Sequence, residues 1–250
     1  MSVRETLLPR YLTAPTPKIS FGPFRMLEAV PWLMFATSMR VLAWQGLVPC
    51  LLLANAALFL AFVLAARRMV EFTNGSTELG RLSFEEQIGL TRDVIVRIIP
   101  VLAGGVVASL ILGFPKTAPQ LFLGFDGIAF DQNTDVGRAW SGALAALVLM
   151  MVLQAGRGES VELGAAARAL ARHAKWLVPA IALITLVNIG LTHVQGAGRL
   201  AVYYYWQDPL APMLLKKVTY FIFIFGFAWV RLWITLAILV FALRESYRRQ

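Results

Sequence analysis

The residue types able to do chemistry fall in a few places. The stretch LFLGFDGIAFDQNTDVGRAW holds Asp126, Asp131, Asn133 and Asp135. The D-x-N-x-D spacing of the last three resembles the opening of a calcium loop, where alternate oxygen ligands converge on one hard cation. The pattern then departs from such a loop, because the Gly at its sixth position and the Glu at its twelfth are replaced by Val136 and Gly142. A structural turn is therefore expected, and Asp131, Asn133 and Asp135 stand as the candidate cation ligands. As a general acid and base the same carboxylates lack an activated nucleophile or a Gly-rich phosphate cradle. A lipid-directed enzyme would have to draw on Asp126, Asp131, Asp135 and His193. The two histidines, His173 and His193, are separated by about 30 Å of helix, so they cannot share a metal or a haem. No cofactor is expected, and a non-enzymatic protein is the leading reading.

Arg231 is different in kind. It lies in FGFAWVRLWITLAI, with about a dozen residues on either side before Lys217 or Arg244. That distance is long for a snorkelling side chain. An arginine at the bilayer centre costs about 2.5–3.5 kcal/mol on insertion scales, so something must compensate it. The spans hold no evident carboxylate, since Glu28 and Asp93 lie near membrane edges. Four solutions are open: interhelical carbonyls with the amides of Asn55 or Asn188, a polar cavity, a lipid phosphate, or an acid on another subunit. Thr235 lies one turn on and shares the polar face. Trp229 and Trp233 lie off that face and are expected to pack.

Other motifs concern packing and surfaces. Gly105, Ser109 and Gly113 recur every four residues, a spacing that lets helices approach closely within a bundle or between protomers. Ser83 and Glu86 form a capping box that starts a helix at Phe84, leading into the span at 94. In ESVELGAAARALARHAKW, Ser160 offers an N-cap and Leu163, Ala167, Leu170 and Ala174 share one face. Arg168, Arg172 and Lys175 occupy another face, the pattern of a helix lying on anionic lipid or of a solvated basic surface.

These residues must be positioned by membrane spans. The chain has 250 residues, 58% hydrophobic and 15% charged, with a mean hydropathy of +0.68, which excludes a water-soluble core. The expected fold is all-α, a polytopic helical bundle. Five spans are clear, at about 45–66, 94–114, 138–155, 176–196 and 218–243. Residues 26–44 carry Glu28, Pro31 and Arg40 and form either a short first span or an interfacial helix. Basic residues concentrate in the connections at 67–93 and 156–175 and in the tail, which are therefore expected inside. With the basic N-terminal arm also inside, six spans satisfy the counts and the C-terminus is cytoplasmic. Five spans plus an interfacial helix is the alternative.

Residues 1–25 read as an extended Pro-rich arm and 26–250 as a single transmembrane domain. The arm has neither the apolar core of a signal peptide nor the amphipathic helix of a transit peptide, so a bacterial cytoplasmic (inner) membrane is expected. The net charge of +9 sits at span ends, where lipid headgroups lie, and points to the bilayer and its anionic lipids, not to nucleic acid. One cysteine, Cys50, permits no disulfide and reads as a buried thiol. Tyr203–Trp206, after a span, fits an aromatic belt.

The amphipathic first segment, the six spans and the run ESVELGAAARALARHAKWLVPAIALI within 159–196 resemble the membrane-domain family related to glycerophosphoryl diester phosphodiesterase membrane regions. The resemblance implies a bacterial integral membrane protein, and no catalytic residues carry over. The function expected is an assembly or accessory subunit that binds other membrane subunits, or itself, within the bilayer. The alternative is a transporter or channel for a small anion or lipid, with Arg231 as the binding charge.

Overall fold

The computed structural model describes residues 23–44, 46–72, 83–132, 134–156 and 159–248. Residues 1–22 of the expected arm lie outside the described residues, as does the candidate ligand Asn133. The described residues form α-helices and 3-10 turns and contain no strand. A 3-10 turn at Pro23–Ala29 leads into α1 (Val30–Trp44), followed by α2 (Cys50–Phe72), α3 (Phe84–Ile111), α4 (Ala118–Phe122), α5 (Asp135–Ala155), α6 (Leu163–Arg172), α7 (Ala174–Gln207) and α8 (Met213–Arg248). Among the described residues six stretches are long and apolar enough to cross a membrane, Met26–Ala43 being the first of them. The fold is an all-α polytopic bundle.

Two helices form its centre. In α2 and α5, 67% and 78% of the span window is buried, against 17% in α3 and 22% in α7, so the other helices pack around this pair. Both central helices place small residues between large ones. Ala54, Ala57, Ala61 and Ala65 in α2 and Ala145 and Ala146 in α5 are buried, which lets neighbouring backbones approach. Helix α1 packs on α2 and α8, and α7 packs on α5 and α8.

Helix α3 starts as its capping box predicts. The Ser83 Oγ accepts from the Glu86 amide and the Glu86 carboxylate accepts from the Ser83 amide. It ends at Gly113, whose φ of +78° favours glycine, and the amides of Phe114 and Gly113 return to the carbonyls of Ser109 and Leu110. The small-residue series is thereby divided. Gly105 packs on the Trp140 ring, Ser109 donates to the Phe114 carbonyl and meets Thr117, and Gly113 terminates the helix.

Three expectations change. First, α7 and α8 run well beyond 196 and begin before 218, so Tyr203–Trp206 are helical; only the Asp208–Pro212 turn separates the two helices. Nothing in LAVYYYW breaks a helix, whereas a residue before proline disfavours it, and Asp208 accepts the Leu210 amide at 2.9 Å. Second, α6 begins after Glu162, and Ser160 instead donates to the Glu162 carboxylate. Its packed face is Leu163, Ala166, Leu170 and then His173; Ala167 is exposed. Third, Cys50 opens α2 at intermediate exposure and is not buried.

The connection between α3 and α5 positions the site. Every residue from Gly124 to Phe130 is buried, so GFDGIAF folds into the bundle as a plug. Phe125 stacks on Phe59 of α2, with ring centroids 3.7 Å apart, and meets Phe62 edge-on. Gly124 and Gly127 lie so close to Trp140, and to Ser141 and Gln132 respectively, that a Cβ would overlap them. Trp140 Nε1 donates to the Leu121 carbonyl at 2.9 Å, and Ser141 donates to the Gly124 carbonyl. Protein surrounds this irregular backbone, and Trp140 and Ser141 supply donors to carbonyls at its start.

Candidate functional site

Arg231 is 1% exposed and is the largest fully buried side chain among the described residues. Its Cβ leans toward the N-terminus of α8, so the guanidinium reaches toward the Gly124–Phe130 plug and the residues just after it. Nη1 donates to Asn188 Oδ1 at 3.1 Å, and Nη2 donates to Gln195 Oε1 at 2.9 Å, Thr192 Oγ1 at 3.3 Å and Asp131 Oδ1 at 3.4 Å. The amide of Asn188 is one of the partners considered for Arg231, whereas an acid from one of this chain's own connections was not among the four solutions. Asp131 is that acid and comes from the plug connection, which is absent from any list of span residues because it is not a span.

Asp131 serves more than one cation. Arg138 Nη2 and Arg199 Nη2 each lie 3.7 Å from its oxygens, and Thr192 donates to Oδ1 at 2.6 Å. Arg138 also donates to Asp135 at 2.5 Å and to Thr192 at 3.3 Å. Beside this group, Arg40 of α1 pairs with Asp126 and stacks over the Phe130 ring, 4.9 Å from its centroid. Asp126 is fully buried, and desolvation raises its pKa to about 6 even though Arg40 pulls it down.

Four arginines thus meet three aspartates: Arg40, Arg138, Arg199 and Arg231 against Asp126, Asp131 and Asp135. The Asp135 side chain is 73% exposed, so water shares its charge. Between Arg40, Phe130, Asp131, Gln195, Arg199 and Ile224 lies a cavity of about 200 Å³.

Of the residues singled out in the sequence, Asn188 reaches Arg231. Asn55 donates within its own helix to the Leu51 carbonyl at 3.0 Å. Thr235 is buried, and its hydroxyl has no hydrogen-bond partner among the described residues. Asp131 and Asp135 are both engaged by guanidinium groups, and no group of three metal-ligating side chains gathers among the described residues. His193 is exposed, while His173 is buried at the foot of α7, with Nδ1 2.8 Å from Ser246 Oγ. Arg168, Arg172 and Lys175 are exposed and clear of the packed face of α6. Between the other ends of α7 and α8 an apolar groove of about 740 Å³ runs from Trp233 to Trp176 and Arg244.

Gln195 and Arg199 were missed, as was the face they share with Thr192, yet a signal existed. With Asn188 they form a polar stripe at i, i+4, i+7 and i+11, one face of a single helix. Ending the span at 196 cut that stripe. No protein family, curated protein or solved structure matches the chain.

Proposed function

We propose that this protein is a non-enzymatic accessory or assembly subunit of a larger complex in a bacterial cytoplasmic membrane, with its C-terminus in the cytoplasm. One observation carries the reading. Arg138, at the start of α5, meets Thr192 of α7, and Asp131 meets Arg199, so the α5 span ends level with the arginine cluster. Beyond Arg199, α7 continues for about 12 Å, and α8 approaches from a similar distance because Gly198 packs on Phe223. This overhanging hairpin exposes Leu200, Tyr203, Tyr204, Leu210, Leu214 and Val218. Apolar surface at that height is stabilised by about 25 cal/mol for each Å² covered, and a neighbouring membrane subunit provides the cover.

A photo-crosslinking residue at Tyr204 in native membranes is expected to capture a defined protein, and mild-detergent purification to retain it. A monodisperse monomer that captures only lipid would sink the proposal. The competing reading, a transporter of small anions or lipids with Arg231 as the binding charge, is less well supported. Arg231 is sealed behind Asp131, and below it Leu232, Leu236, Leu239, Val148 and Met151 form a buried apolar core. Loss of anion flux in Arg231→Leu would revive it.

A further inference from the structure

The cavity beside Asp131 is lined by donors that protein acceptors use only in part. Arg199 lines it and is held near Asp131 only by charge at 3.7 Å; it donates no hydrogen bond to another described residue. Gln195 is 4% exposed, and its Oε1 is taken by Arg231, which leaves its amide NH₂ as the group free to face the cavity. Arg40 approaches from α1, its bond to Asp126 made through Nη1, so the rest of its fork remains for a second acceptor.

Charge points the same way. Asp131 is the one carboxylate in the lining, and it is shared by Arg138, Arg199 and Arg231, while Arg40 takes Asp126. The group of four arginines and three aspartates keeps one positive charge in excess, and Arg199, half-exposed at the cavity, is open to a further acceptor. A cavity of about 200 Å³ is too small for a drug-sized ligand. It holds the volume of about six or seven waters.

We infer that this cavity binds a phosphate-type oxyanion between Arg40, Arg199 and Gln195. The donors come from two helices, α1 and α7, and converge from different directions. A tetrahedral group with three terminal oxygens can satisfy such a set, whereas a planar carboxylate fits a single arginine fork. The site lies level with the start of the α5 span, where lipid phosphates also lie, so the oxyanion is either free phosphate or a phospholipid headgroup. The inference is independent of the accessory-subunit reading.

The test uses the full chain in mild detergent after delipidation. Unfolding midpoints are followed against inorganic phosphate at constant ionic strength, with chloride as comparator, and in parallel against phosphatidylglycerol in mixed micelles. The expected result is a saturable rise with one of the two probes and none with chloride. Arg199→Gln, at a half-exposed position, is expected to weaken that response at least tenfold with little change in the ligand-free midpoint. Arg199→Lys is expected to retain part of it. A response to phosphate identifies the free ion, and one to phosphatidylglycerol alone identifies the headgroup. The inference is overturned if neither probe stabilises the protein, if chloride does as well, or if Arg199→Gln responds like the unaltered chain.

Discussion

Asp131 neutralises several cations and Arg231 is only one of them, which makes the two residues unequal. Asp131→Asn leaves Arg231 buried with neutral partners alone, a loss of the kind that costs about 3–5 kcal/mol. Arg231→Leu leaves Asp131 still facing Arg138 and Arg199 and is expected to cost less. The double variant is expected to cost less than the two together, by about 0.5–3 kcal/mol. Chemical unfolding of the four proteins in detergent measures this cycle; strict additivity would mean that the pair is not coupled. Asp126 supplies a second residue-scale prediction. Its folded pKa of about 6 lies above its ordinary value of 3.8, so the folded state binds the proton more tightly. Its contribution to stability is complete below about pH 4 and is lost as pH rises through about 6, a change of up to about 3 kcal/mol. The difference in unfolding midpoint between the unaltered chain and Asp126→Asn should therefore shift against the unaltered chain between pH 4 and 7. A difference that stays flat over that range would contradict it. Arg231 was legible as an anomaly from the sequence, because an ionised group amid apolar residues needs no fold to be noticed. Its partners were not, because hydropathy assigns an acid to a loop without saying where the loop goes.

At the scale of elements, the plug between α3 and α5 depends on close contacts that glycine permits. Trp140 is pinned by its bond to Leu121, so it cannot swing away from a Cβ on Gly105, which would sit 2.9 Å from its ring. Gly105→Val is expected to destabilise by about 1–3 kcal/mol. At the neighbouring Gly104, where nothing lies within 4 Å of a Cβ, alanine should be neutral or slightly stabilising. Melting temperatures of the two variants test the contrast, and equal effects would remove the packing explanation. The helices themselves were readable from local signals: the Ser83 capping box and the apolar runs each depend on a few adjacent residues. The plug was not. GFDGIAF is short, and burial of such a run is decided by Phe59, Phe62 and Trp140, which are distant in sequence. The end of α7 was misplaced for a related reason: a fall in hydropathy at Gly196–Arg199 marks the polar stripe that meets Asp131, not the end of the helix.

For the whole molecule, six crossings, one for each stretch long and apolar enough, would put the start of α1 and the end of α8 on one side. Cysteines introduced at Leu210 and at Ser83 are expected to be labelled from opposite faces of the membrane by an impermeant maleimide, with position 210 accessible from outside the cell. Labelling of both from one side would break the six-crossing topology. The helices also differ greatly in length. The first span, Met26–Ala43, has 18 residues, about 27 Å as helix, whereas the apolar run of the adjoining α8 between Lys217 and Arg244 covers about 39 Å. A hydrocarbon layer of about 30 Å cannot match both. In a bilayer the protein is expected to present a lower apolar wall beside α1 than beside α8, a helix away. A step of that kind would favour one in-plane orientation toward neighbouring proteins.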